Sequence, residues 1–170
     1  MGRVVPLAEL ESILATARVA GKRVVLTNGC FDLLHVGHAR LLEQARALGD
    51  VLVVGVNGDA SVRRLKGPAR PLVPAAERAE LVAALGAVDY VAVFEETTAE
   101  RLAGAVRPDV YVKGADYAAA GGAVDPSRLP EAAVVQGGGG RVVLVPLTPD
   151  RSTSGLVDRI RDAARAGGLP

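Results

Sequence analysis

A chain of 170 residues, 49% of them hydrophobic, is long enough to bury one substantial core and short enough to suit a single compact fold. Its 20 basic and 19 acidic residues leave a formal net charge of +1, too little for the basic field that nucleic-acid binding or an anionic membrane surface demands. The single cysteine, Cys30, excludes an internal disulfide, the first residues lack the basic start and apolar run of a signal peptide, and no apolar stretch approaches the roughly 18 residues of a membrane span; a cytoplasmic protein is expected.

Leu7, Leu10, Ile13, Leu14 and Ala17 recur at helical spacing, so residues 7–19 are predicted as an amphipathic helix closed near Gly21. The β-branched run Arg23 to Thr27 is the first predicted strand. A helix over 36–48 leads to a second strand inside ALGDVLVVGVNGD. Next come a helix over 74–85 opened by Pro74, the strand VDYVAVF, a helix over 97–105 capped by Thr97 or Thr98, and the strand DVYVKG. The Ala-, Gly- and Pro-rich segment from Ala118 to Gly140 is expected to be a mobile excursion with at most a short helix near 127–136. GRVVLVPL is the last strand, and a helix over 152–165, capped by Ser152 or Thr153, closes the chain before a fraying AGGLP.

Strands alternate with helices, and the strands are short and almost wholly apolar. Such strands need cover on both faces, which implies a parallel sheet with right-handed crossovers. The expected fold is therefore α/β, a Rossmann-like doubly wound parallel sheet of about five strands with helices on both faces. Residues 1–22 are expected as an N-terminal helix, 23–165 as the main domain and 166–170 as a disordered tail.

The informative segment is TNGCFDLLHVGHARLLEQA, residues 27–45, running from the end of the first strand into the first long helix. In open α/β sheets ligands bind beyond the carboxyl ends of the strands, where a helix N-terminus offers unpaired N–H groups and a positive dipole end to phosphate. His38 falls in or just before that first turn, His35 can converge on the same anion from the loop, and Gly37 leaves room for a close approach. No G-x-G-x-x-G follows the first strand and no GxxxxGK[ST] is present, so neither common phosphate loop applies.

The segment resembles the signature of the His-x-Gly-His nucleotidyltransferases. NGCFDLLHVGH, VNGDASVRRLKGPARPLVP, ERAELVAAL, DYVAVFEETT, RPDVYVKGADY and RSTS occur in order and span most of residues 24–161. Together they are similar to the adenylyltransferase domain that makes ADP-heptose from D-glycero-β-D-manno-heptose 1-phosphate, a domain often fused to a sugar kinase. The resemblance implies transfer of AMP from ATP with Mg²⁺ riding on the nucleotide, a separate sugar kinase in the same pathway, and a homodimer. It also implies site roles. His35, His38 and Lys66 would be catalytic, and Asp32, Lys66 and Arg78 would bind the sugar phosphate. Asn28, Gly29, Cys30, Phe31, Gly37, His38, Lys113, Gly114, Asp116, Arg151, Ser152, Thr153 and Ser154 would bind the nucleotide. The glycerol-phosphate cytidylyltransferases share the histidine pair, but their terminal arginine, five residues before a Ser-Thr pair, is replaced here by Leu147. That departure favours the adenylyl reading, with a cytidylyltransferase of glycerol 3-phosphate or a similar alcohol as the alternative.

Chemistry supports the same roles. A sugar phosphate is largely dianionic at neutral pH, its second pKa being near ~6, and needs no general base. The histidines are then donors to charge growing on the phosphate oxygens, and nearby phosphates would keep a fraction of them protonated. Other readings stay open at this point: a metal site of Cys30, Asp32, His35 and His38, although zinc-like spacing is absent; Cys30 as a small buried filler; Asp32 as a turn residue; Lys66 and Arg78 as solvated helix-face residues; and a nucleotide-binding module without catalysis.

Overall fold

The computed structural model describes residues 1–119, 122, 124–125, 127–149 and 151–167. Their elements run β1 (Arg3–Val4), α1 (Leu7–Val19), β2 (Val24–Gly29), α2 (Val36–Arg46), β3 (Val51–Asn57), α3 (Asp59–Lys66), α4 (Ala75–Ala83), β4 (Tyr90–Phe94), α5 (Glu100–Val106) and β5 (Val110–Gly114). A 3₁₀ turn (Ala115–Tyr117), α6 (Glu131–Gly137), β6 (Arg141–Val145) and α7 (Thr153–Arg165) complete the chain.

Among the described residues the six strands form one parallel sheet in the order β1-β4-β3-β2-β5-β6. Pleating sends alternate side chains to opposite faces. Val24, Leu26, Val51 and Val53 enter a core with Leu10, Leu14, Leu102 and Val106 from α1 and α5. Val25, Leu52 and Val54 enter a second core with Leu42 and Ala45 of α2 and Ala79 and Val82 of α4. Every residue of β3 is buried, as a central strand covered on both sides requires.

The sheet is doubly wound. From β2 the chain builds outward through β3 to β4, and α5 then returns it to add β5 on the other side of β2. The strand order reverses between β2 and β5, where Leu26 pairs with Tyr111, and the crevice beyond that switch point is the natural ligand position.

Three expectations change. The sheet has six strands rather than about five, because β1 pairs with β4. Residues 1–22 are thus built into the same core as the rest, with Leu10 and Leu14 fully buried. A helix, α3, occupies 59–66, outside the helices predicted in chain order. In the Ala/Gly-rich stretch, Ala118 bridges Val124 and α6 packs Ala132 and Val135 into the core. Glu131 in α6 is buried, and its carboxylate accepts the Ala99 N–H at 2.6 Å. Positions 120, 121, 123 and 126 of that excursion, and 168–170 of the expected tail, lie outside the described residues. Ala166 and Gly167 still bond back to the last turn of α7.

Candidate active site

The loop after β2 enters α2 through a reciprocal cap made of two histidines. His35 is the N-cap, with extended backbone, and its Nδ1 accepts the Gly37 N–H at 3.1 Å. The His35 N–H donates in turn to Nδ1 of His38 at 3.4 Å. The rings stack with centroids 3.9 Å apart, and Phe31 tilts against His38 at 5.1 Å. A nitrogen that accepts a hydrogen bond carries no proton, so each neutral imidazole holds its proton on Nε2. Both Nε2–H groups remain as donors at a helix N-terminus.

The protonated fraction expected from the sequence does not fit the free site. Burial lowers the pKa of His38 to about 4, and His35 beside it pushes the same way. Burial and then the Arg151 charge lower His35 as well. Both shifts favour the neutral imidazole, because each ring is partly desolvated and lies beside another cationic group. Gly37 also serves the cap itself. A Cβ there would lie 2.9 Å from His35 Cε1 and Nδ1, so glycine makes room for the capping ring.

Beyond β5, Lys113 is buried and reaches across the switch point to β2. Its Nζ donates to Asn28 O at 3.3 Å and Asn28 Oδ1 at 3.1 Å, and Oδ1 also accepts Tyr111 Oη–H at 2.5 Å. Lys113 Nζ sits 4.6 Å from the Tyr117 ring centroid. Burial lowers its pKa to about 8, against the opposing pull of Glu131, Asp116 and Cys30. Asp116 is exposed, and its carbonyl accepts from Arg128. A Cβ on Gly114 would fall 2.5 Å from Leu147 Cδ2, so the leucine at the position of the missing terminal arginine packs on the end of β5.

The start of α7 closes the same crevice. Ser152 Oγ caps α7 by accepting the Gly155 N–H at 3.0 Å, and Thr153 Oγ1 donates to Leu33 O at 3.3 Å. The Arg151 Cβ lies 3.4 Å from where a Gly37 Cβ would be. Ser154 is exposed in the first turn. Two helix N-termini, those of α2 and α7, therefore meet at one place.

On the other side stands the segment after β3. Lys66 ends α3, exposed, and its charge lowers the Cys30 thiol pKa, although burial dominates and raises it. Asp32 is buried and its carboxylate is taken up by the chain: Oδ2 by the Arg70 guanidinium, Oδ1 by the N–H groups of Leu72 at 2.7 Å and Val73 at 3.0 Å. Arg78, expected to touch substrate, has no exposed surface. Its Nε donates to Val73 O at 2.8 Å, its Nη1 to Cys30 O, and its Nη2 pairs with Asp59 at 2.8 Å. Every branch of the guanidinium is engaged inside the protein, which removes Arg78 from the substrate set. The Nδ1 atoms and the Asp32 carboxylate already have partners within the protein, so a metal held by Cys30, Asp32, His35 and His38 would have to rely on the Nε2 atoms. No cluster of three or more His, Cys, Asp or Glu able to hold a metal occurs among the described residues.

The structure thus gathers His35, His38, Gly37, Asn28, Lys113, Arg151, Ser152 and Thr153 around one crevice. Tyr111, Arg70 and Asp59 escaped the sequence reading. Each acts through a partner more than 18 positions away, and no local pattern marks it.

A doubly wound parallel sheet whose switch point carries a histidine-capped helix is the framework of a nucleotide-binding α/β domain. The chain belongs to the cytidylyltransferase-like family, whose model matches residues 26–126. It is 49% identical over 158 residues to the bifunctional protein HldE of Syntrophotalea carbinolica, covering 93% of this chain and 31% of that protein. It is 50% identical over 155 residues to the bifunctional protein HldE of Geotalea uraniireducens, covering 91% and 30%. The chain therefore spans less than a third of these relatives. Among solved structures, the lipopolysaccharide core biosynthesis protein of Thermoplasma volcanium superposes with a TM-score of 0.59 at 29% identity, over 75% of this chain and 98% of that one. No helix among the described residues is long and apolar enough to cross a membrane.

Proposed function

We propose that this domain transfers AMP from ATP to D-glycero-β-D-manno-heptose 1-phosphate, giving ADP-heptose and pyrophosphate. The observation that carries the reaction class is the reciprocal histidine cap at the switch point, which leaves two Nε2–H donors beside a helix N-terminus. Relatives near 49% identity support the heptose 1-phosphate substrate.

The acceptor phosphate is already dianionic, so its oxygen attacks the α-phosphorus without a base. As the bond to pyrophosphate breaks, charge accumulates on the α-phosphoryl and leaving oxygens. His35 and His38 donate to those oxygens through Nε2–H, and neutral donors suffice because they are preorganised and partly desolvated. The α2 and α7 N-termini, with Lys113 and Arg151, bind the triphosphate. Lys66 meets the acceptor phosphate as a point charge from the α3 side. Mg²⁺ enters as part of the ATP substrate and neutralises charge on the triphosphate. A sugar kinase must supply the 1-phosphate.

The test pairs each nucleoside triphosphate, with Mg²⁺, against a panel of phosphorylated acceptors and follows pyrophosphate. ATP with the heptose 1-phosphate is expected to be the best pair. Silence with every pair would sink the enzyme reading and leave a nucleotide-binding module.

A further inference from the structure

We infer that Asp32 and Arg78 are positioning residues that grip one strap, Arg70 to Val73, from two sides and so hold the acceptor wall of the crevice against the histidine loop. The role rests on the transferase reading above, but the grip itself is a property of the free protein.

Val73 shows the arrangement most directly. Its N–H donates to Asp32 at 3.0 Å while its carbonyl accepts from Arg78 Nε at 2.8 Å. One peptide segment is thus held by a buried carboxylate and a buried guanidinium at once. Both anchors also attach to the loop after β2: Asp32 lies within it, and Arg78 of α4 donates from Nη1 to the carbonyl of Cys30. Between those two points stands Phe31, whose φ of 48° is a left-handed conformation that an aromatic residue adopts only at a cost. The Phe31 ring packs on His38. The third arm of Arg78 reaches Asp59 in the first turn of α3, the helix that ends in Lys66. Histidine loop, strap and Lys66 helix are therefore tied through two side chains, neither of which needs to touch substrate.

A shift of about 1 Å in a wall that orients a reactant can cost on the order of a hundredfold in rate. Loosening the strap, which Arg78 ties to the helix that ends in Lys66, should accordingly act on the acceptor and spare the nucleotide proposed to bind at Lys113 and α7.

The experiment compares D32N, R70M and the double variant with the unaltered chain. D32N keeps the shape of the side chain but loses the ion pair. Amide hydrogen exchange at Leu72 and Val73, followed by mass spectrometry without substrate, is expected to quicken at least about tenfold in each variant. Acceptor KM should rise about tenfold or more, nucleoside triphosphate KM should stay within about threefold, and the double variant should be no worse than the poorer single one. R78K, which retains charge but not the three-way reach, should quicken the same two amides. Unchanged exchange in D32N alongside a raised acceptor KM would overturn the inference and make Asp32 a direct ligand. Equal losses for nucleotide and acceptor would overturn it in favour of a general structural role. If the unaltered chain turns over no substrate, the transferase reading fails, while the exchange data alone still decide whether Asp32 and Arg78 hold the strap.

Discussion

His35 and His38 hold each other in place: the backbone N–H of His35 donates to the ring of His38 at 3.4 Å, and the rings stack 3.9 Å apart. The cap uses both Nδ1 atoms, so it selects the tautomer as well as the position. Removing either ring therefore affects the reaction, and removing His35, the N-cap, also affects the helix.

His38→Ala should fold and lose about 10²–10³ in rate, the usual cost of one preorganised donor. His35→Ala should lose rate similarly and also unfold more easily by about 1 kcal/mol, since it removes the N-cap of α2. Steady-state pyrophosphate release and urea denaturation measure the two effects. Turnover retained in His38→Ala would contradict the donor role.

The pH dependence follows from the lowered histidine values. His38 has an ordinary pKa of 6.5 when unfolded and about 4 when folded, so between those limits the unfolded chain binds the proton and the folded one does not. Its contribution to stability is complete above pH 6.5 and shrinks as pH falls towards 4. Urea midpoints should drop over that window, and less so in His38→Asn. For catalysis, kcat/KM should be flat between about pH 6.5 and 7.5, because the working imidazoles are neutral. A rate that climbs as pH is lowered through that range would restore the imidazolium.

Lys113 carries the opposite balance of stability and function. Its pKa falls from 10.5 to about 8 on folding, so the unfolded chain binds more protons between these values. The strain of a buried ammonium is present below pH 8 and is relieved as pH rises towards 10.5. Lys113→Met should be as stable as the unaltered chain at neutral pH, or more so, yet bind ATP at least about tenfold more weakly, a charged hydrogen bond being worth about 1.5–3 kcal/mol. Calorimetric titration with ATP and thermal melts separate the two outcomes.

Gly37→Ala should behave like a mild histidine deletion. The new Cβ would sit 2.9 Å from the His35 ring and push it off the cap. A fall of roughly a hundredfold in kcat with little change in Tm is expected. Unaltered kcat would show that the ring can shift without consequence.

Much of this was legible in the sequence. The α1 helix over 7–19 could be read from its apolar period, and the doubly wound sheet from short apolar strands alternating with helices. The position of the crevice was legible too, since NGCFDLLHVGH and VKGADY each run out of the carboxyl end of a strand. What escaped depends on contacts that no local pattern encodes. Arg3–Val4 is too short to show a period and becomes a strand only because β4 offers an edge. Asp59–Lys66 carries Arg63, Arg64 and Lys66 among few apolar residues, so its helix is set by Ser61 and Val62 facing the interior. Arg78 stands in an amphipathic helix where an arginine suggests solvent or substrate; only the fold brings Cys30, Asp59 and Val73 around it.

The proposed reaction pairs ATP with a heptose 1-phosphate at this histidine-capped crevice. Its most direct measurement is the product formed when the protein, Mg²⁺, ATP and CTP in equal amounts, D-glycero-β-D-manno-heptose 1-phosphate and glycerol 3-phosphate are incubated together and resolved by mass spectrometry. ADP-heptose as the dominant product, lost in His38→Ala, is the expected result. CDP-glycerol as the dominant product would contradict it.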